Sequence, residues 1–277
     1  MSSLQAPSLS AEAKPATGAL RLVRILLPIL VLAAGVAVWE LIVRLYSIPP
    51  YVLPAPDEVF QTLIQDWPVL SRSLLTTLTT TLEGFAAAGI GGIALAILFN
   101  QSKWLEYSLL PYAIILQVTP VIAIAPLLLI YLPQQTAVIV CAWIVAFFPV
   151  LSNTTLGLNS IDRNLAGLFQ LYGASRMQTL RYLKLPSALP FILAGLRIAG
   201  GLSLIGAVVA EIAAGSAGAG SGLAYRIAES GYRLNIPRMF AALLLLSAAG
   251  IVIYGLLALA SHLMLRHWHE SALGKEN

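Results

Sequence analysis

The sequence predicts an all-α membrane protein of about six spanning helices, and three observations carry that prediction. Of the 277 residues, 58% are hydrophobic and only 10% charged, against about 25% charged in soluble globular domains. The mean hydropathy of +0.85 agrees. The apolar residues run in blocks of about twenty rather than alternating, which is the length a helix needs to cross ~30 Å of hydrocarbon. A soluble enzyme, a disordered chain and a disulfide-stapled secreted module are excluded on these grounds. Cys141 is the one cysteine and lies inside an apolar run. It has no partner for a disulfide, reads as core packing, and leaves no metal site to expect.

The elements follow in order. Residues 1–24 are small and polar, end in Arg21 and Arg24, and read as a flexible tail. Ile25 to Tyr46 forms the first span, with Trp39, Glu40 and Arg44 at its far end. A cleaved signal peptide is disfavoured there, because the polar leader is long and further apolar segments follow. Ser47 to Arg72 holds Pro49, Pro50, Pro54, Pro56 and Pro68 and reads as an extended connection into a short helix that Asp57 could cap. The second span is expected over Ser73–Phe99, with a tight turn at Asn100–Lys103. A third covers Leu105–Leu132 and is interrupted by Pro111, Pro120 and Pro126; a fourth covers Thr136–Leu156. The polar stretch Asn159–Pro186 follows, then a fifth span over Ala188–Ala214. A Gly/Ser-rich loop at 215–222 and a short amphipathic piece lead to the sixth span over Pro237–Leu265. The membrane-spanning body is thus 25–265, and 266–277 is a polar tail.

Six spans put both termini on one side. Taking the Asn100–Lys103 turn and the 159–186 loop as that side, it holds ten basic residues: Lys14, Arg21, Arg24, Lys103, Arg163, Arg176, Arg181, Lys184, Arg266 and Lys275. The other side holds Arg44, Arg72, Arg226, Arg233 and Arg238, with Arg197 inside a span. The positive-inside rule then makes both tails and the long loop cytoplasmic.

That loop is the feature a channel or secondary transporter has no need of. Asn164–Leu171 and Ser175–Leu183 both have helical periodicity, Gly173 separates them, and Pro186 and Pro190 are expected to stop and restart the chain. Leu165, Leu168, Phe169, Leu171 and Tyr172 face the cytosol unless something covers them, which suggests a docking surface. An interfacial helix lying on the headgroups is the alternative.

The run from Leu171 to Pro190, with Gly173-Ala174-Ser175 and Leu185-Pro186-Ser187-Ala188-Leu189-Pro190, resembles the EAA loop of inner-membrane permeases of binding-protein-dependent ABC importers. The likeness continues through Ala194–Ala199 and Val208–Glu211. Leu53–Pro56, Thr119-Pro120, Ala125-Pro126 and Phe147–Pro149 resemble the nitrate/sulfonate/taurine branch, so the match covers about residues 50–265. The resemblance implies a coupling helix at 160–186 that docks into an ATPase subunit, carried here by Asp162, Leu168, Phe169, Gly173, Ala174, Ser175, Arg176 and Pro186. Gly167, Leu168 and Phe169 occupy the positions of the family's Glu-Ala-Ala. A polar contact made by that glutamate is therefore missing, and apolar docking through Leu168 and Phe169 is expected in its place.

Charges inside a membrane are costly and default to functional candidates. Glu83 lies in the second span, and Arg197 and Glu211 lie in the fifth. Arg197 and Glu211 share roughly one helix face but stand about 21 Å apart along it, so they cannot pair within the helix. Structural service is expected of Arg197. Glu211 reads either as an outer gate or as half of a salt bridge with Arg226 or Arg233. Thr77 and Thr80, in the threonine-rich stretch before Glu83, either line a polar path or bond their own backbone. If Glu83 faces that path, it repels anions, and the cargo is a neutral or zwitterionic small organic rather than nitrate; the resemblance itself leaves open a sulfonate-, taurine- or nitrate-like solute or a heteroaromatic vitamin precursor.

Two motifs fail. The 215–222 segment is glycine-rich but lacks the Gly-Lys-Ser/Thr of a P-loop. An intramembrane protease needs a Ser–His pair or paired aspartates within the membrane, but the three histidines, His262, His267 and His269, cluster at the end of the last span and Asp57, Asp66 and Asp162 are all in loops. The expected protein is a permease subunit of a bacterial inner-membrane importer that binds no cofactor itself. ATP and Mg are used by two partner ATPase subunits, cargo comes from an extracytoplasmic binding protein, a second permease copy completes the path, and nucleic acid plays no part. A stand-alone secondary transporter or channel is the alternative.

Overall fold

The computed structural model describes residues 18–215 and 220–266. The polar tail up to residue 17, the centre of the Gly/Ser loop, and His267, His269 and the rest of the terminal tail lie outside the described residues. The chain divides into two compact units, residues 1–58 and 59–277.

The first unit is built on α1, Gly18–Leu45. It starts seven residues before the expected Ile25, because Ala19, Leu20, Arg21 and Leu22 are all good helix formers. At its far end Arg44 pairs with Glu40 one turn back and reaches Asp57 at 3.3 Å. Helix α2, Pro56–Gln65, begins in this unit. Asp57 lies inside its first turn rather than capping it, and Glu58 reaches back to accept from the Ala55 N–H at 3.1 Å.

The second unit contains the core. Helices α3 (Trp67–Gln101), α6 (Gln134–Asn159) and α9 (Leu185–Ala214) pack together around Ala88, Phe99, Val150, Leu151, Leu158 and Ala199. Small residues set the separations, as in membrane helix packing generally. A Cβ on Gly84 of α3 would sit 2.6 Å from the Ala142 side chain, and one on Gly206 of α9 would sit 2.7 Å from the Cys141 carbonyl oxygen. Helix α6 is therefore gripped at one level from both sides, and Cys141 is buried there. Helices α10 (Leu223–Tyr232) and α11 (Ile236–Leu265) complete the unit. Arg238 of α11 makes a two-pronged bond to Asp66, just before α3, at 2.6 and 2.9 Å.

Among the described residues five helices are long and apolar enough to cross a membrane, and a bent pair brings the number to six if it counts as one span. That pair is α4 (Lys103–Val118) and α5 (Val121–Tyr131), bent by 99°. Of the three prolines in the expected third span, only Pro120 breaks it. Thr119 before it is extended at φ −73°, ψ 122°, the conformation a following proline favours, whereas Pro111 and Pro126 stay within helices.

The polar stretch forms α7 (Arg163–Leu171) and α8 (Arg176–Thr179). Pro186 and Pro190 do not stop the chain. A π turn at Leu180–Lys184 joins α8 to α9, and the Leu185 N–H bonds five residues back to the Leu180 carbonyl. The widened turn makes room where a proline ring at 186 would press on the carbonyl four residues before it.

Candidate functional site

The α7–α8 elbow is built from three consecutive local devices. Asp162 caps α7, its Oδ1 accepting from Asn164 N at 2.6 Å and Leu165 N at 3.4 Å. At the other end Ala174 N bonds the Phe169 carbonyl at 2.9 Å and Gly173 N bonds the Gln170 carbonyl at 3.0 Å. This pair of bonds is the Schellman closure, and it places Gly173 at φ +68°. No atom lies within 4 Å of a Cβ built there, so glycine is needed for its conformation and not for space. Ser175 then opens α8 with a capping box: its Oγ accepts from Gln178 N at 3.2 Å, and Gln178 Oε1 accepts from Ser175 N at 2.7 Å. The elbow is held in shape by its own sequence. It exposes Leu168 by 46% and Leu171 by 87%, with Leu165 and Tyr172 alongside, while Phe169 and Pro186 are half-buried and Arg176 is exposed.

At the opposite end of the bundle, residues far apart in sequence converge. Glu211, near the end of α9, is 3% exposed and Thr77 of α3 is fully buried. The Thr77 hydroxyl lies 2.8 and 3.0 Å from the two Glu211 carboxylate oxygens and donates to them. It also accepts from Leu223 N at 2.8 Å, while Glu211 Oε2 accepts from Ala224 N at 3.0 Å. A hydroxyl and a carboxylate on two other helices thus cap the first two N–H groups of α10, where the helix dipole favours negative charge. Gly222 permits this, because a Cβ there would overlap the carboxylate. Glu211 therefore pairs with neither Arg226 nor Arg233: both bind Glu229, at 2.8 and 3.0 Å, and Arg226 also reaches Ser73.

A cavity of about 450 Å³ opens beside this junction, lined by Thr76, Thr79, Thr80, Gln134, Gln135 and Glu211. Thr76, Thr79 and Thr80 donate their hydroxyls to carbonyls three or four residues back. Thr80 thus lines the cavity while bonding its own backbone, whereas Thr77 does neither and serves the α10 cap; what these threonines leave to a visitor is hydroxyl lone pairs. One turn further along the same face stands Glu83, at the midpoint of α3, exposed and in no ion pair among the described residues. A second cavity of about 310 Å³ is lined by Gln117, Thr119, Pro120 and Pro149 at the α4–α5 break. Arg197 lies on α9, half-buried, with its Nε in contact with no hydrogen-bond partner. The sequence reading passed over Gln117, Gln134 and Gln135; the signal for the first was an amide inside an apolar run.

A multi-pass helical body with an exposed apolar elbow at one end and a polar cavity at the other is the form of a membrane transport subunit. The chain belongs to the family of binding-protein-dependent transport system inner membrane components, which matches residues 88–266. It is 33% identical to the riboflavin transport system permease protein RibX of Chloroflexus aurantiacus, covering 84% of this chain and 86% of that one. It is 34% identical to the formylaminopyrimidine transport permease protein ThiX of Halalkalibacterium halodurans, covering 78% and 85%. More distant relatives are named as permeases for nitrate, aliphatic sulfonates and taurine. Among solved structures, an amino acid ABC transporter crystallised with histidines shares the fold, with a TM-score of 0.59 at 20% identity over 73% of this chain and 97% of that one. The chain is a permease subunit of an ABC importer for a small solute, and it works with an ATPase and a binding protein.

Proposed function

We propose that this permease works as a symmetric pair in the bacterial inner membrane, with both termini cytoplasmic. Two ATPase subunits, using ATP and Mg, dock on the elbows between residues 160 and 186, and the binding protein delivers cargo to the opposite side. Leu168 and Phe169 supply apolar contact where the family's glutamate is absent; Asp162, Gly173, Ala174 and Ser175 hold the elbow in shape, and Pro186 stands where the elbow passes into α9.

The cargo we infer is a neutral or zwitterionic small organic rich in hydrogen-bond donors, of the heteroaromatic vitamin-precursor type. The observation that carries this is the acceptor-rich stripe on α3. Threonine hydroxyls already committed as donors lead down one face to the unpaired Glu83 carboxylate. A carboxylate facing lipid is costly, so this face belongs to a path between the two copies. It welcomes N–H and O–H donors and repels anions. Glu211 is held in the α10 cap and shapes the outer mouth, and Arg197 serves the structure of the inner half.

The test is uptake by the importer, assembled with its own ATPase and binding protein in liposomes. Riboflavin or a formylated aminopyrimidine is expected to enter with wild-type protein and to slow by about tenfold, ~1.4 kcal/mol, with Glu83→Gln. Rapid nitrate entry that Glu83→Gln leaves unchanged refutes the reading.

A further inference from the structure

A third cavity, of about 600 Å³, lies at the end of the bundle that carries the elbow, between the α3–α4 turn and α7–α8. Three cations line it, Lys103, Arg176 and Lys184, together with the amides Asn100, Gln101 and Gln170; no carboxylate does. Lys103 is neutralised from outside the lining by Glu106 at 2.6 Å. Lys184 donates to Asn100 Oδ1 at 2.9 Å, a neutral acceptor, and Asn100 donates in turn to Asn159 Oδ1 at 3.2 Å. Arg176 is in no ion pair among the described residues. Two full positive charges thus converge on a water-accessible hollow without an anion, beside amides able to donate further hydrogen bonds.

The cavity is separate from the docking elbow's apolar side. Ala166 and Gln170 of α7 face it, and at 100° per residue both lie about 160° from Leu168. A contact centred on Leu168 therefore lies on the side of α7 away from this hollow. Its position is that of a membrane interface: it lies where α3 ends and α4 begins, and Trp104 on its rim is 84% exposed. Exposed tryptophan belongs at the headgroup level, and basic pockets between spans at that level bind anionic headgroups.

We propose that this cavity is a binding site for a phosphate-bearing anion, supplied by the headgroup of an anionic phospholipid. Arg176 grips the phosphate in the two-pronged manner open to a guanidinium, Lys184 adds a point charge, and Asn100 and Gln170 take the remaining oxygens. Because Asn100–Lys103 form one wall and Gln170, Ala174 and Arg176 the other, a bound headgroup ties the elbow to the inner end of α3.

The experiment is native mass spectrometry of the purified full-length chain in mixed micelles with equal amounts of phosphatidylglycerol and phosphatidylcholine. Wild-type protein is expected to retain phosphatidylglycerol preferentially, and the double variant Arg176→Gln/Lys184→Gln to lose that preference by about tenfold in affinity. Lys103→Gln, which leaves the Lys184–Asn100 bond in place, is a second variant and is expected to weaken retention several-fold. Arg72→Gln, an exposed cation of α3 near the other end, is expected to change nothing. Equal retention of the two lipids by wild-type protein overturns the proposal, and so does undiminished phosphatidylglycerol binding by both variants. A parallel arm adds 10 mM inorganic phosphate. Displacement of the lipid supports a phosphate site that free phosphate also fills, and no displacement supports a lipid site that needs the acyl chains.

Discussion

Gly222→Ala is expected to lower the unfolding temperature of the purified protein more than any other single-methyl substitution outside the α3–α6–α9 core. The added Cβ occupies the space of the Glu211 carboxylate, which must swing out of its bonds with Thr77 and Ala224. A hydrogen bond to a charged group contributes roughly 1.5–3 kcal/mol, so losing two costs about 3–6 kcal/mol. The N-terminus of α10 also loses a cap, and the α9–α10 corner loosens. Thr77→Ser keeps the hydroxyl and is expected to stay close to wild type, whereas Thr77→Val strands Leu223 N and leaves the carboxylate with Ala224 N alone. Thermal unfolding in detergent measures the series. A Gly222→Ala midpoint indistinguishable from wild type shows that the carboxylate has another place to go.

Leu168→Asp is expected to separate folding from coupling. Leu168 is 46% exposed in the single chain, and α7 is held by its own caps, so the substitution leaves the unfolding temperature nearly unchanged. At a docked elbow the same change removes an apolar contact of roughly 1 kcal/mol, about half the value of a fully buried leucine, and adds a charge that must be desolvated. Recovery of the ATPase with tagged permease is expected to fall by at least about tenfold, and solute-stimulated ATP hydrolysis with it. Leu165→Ala, beside it, removes apolar area without adding charge and is expected to give a weaker version of the same loss. Normal ATPase recovery and uptake with Leu168→Asp place the docking contact elsewhere.

How much of this was legible in the sequence depends on the distance between partners. The spans follow from runs of apolar residues, and the elbow follows from signals within a few residues of one another: Asp162 before a periodic stretch, Gly173 at its end, Ser175 with Gln178 three residues on. Structures of that range are encoded where they form. The α10 cap is different. Thr77 and Glu211 are separated by 134 positions, and nothing in either segment announces the other; only the packing of α3 on α9 brings them together. Reading Glu211 as a salt-bridge partner for the nearest arginines followed proximity in sequence, yet Glu229, three residues from Arg226, was the nearer claimant. The prolines show a similar limit. Pro111, Pro120, Pro126 and Pro186 have the same local chemistry, but one makes a 99° bend, two are absorbed within helices, and one is accommodated by a π turn.

That π turn has a mechanical consequence. Because the chain does not break at Pro186, α8 and α9 form one continuous 39-residue rod from Arg176 to Ala214, about 58 Å long at 1.5 Å per residue. One end of the rod is the elbow and the other carries Glu211. If the rod moves as one body, whatever moves the elbow also acts on the α10 cap, without a relay of side chains between. The linkage runs both ways: if nucleotide on the ATPase changes solute affinity at the far mouth by some factor, solute at the mouth must change nucleotide affinity by the same factor. The two measurements, made on separate preparations, should return one number.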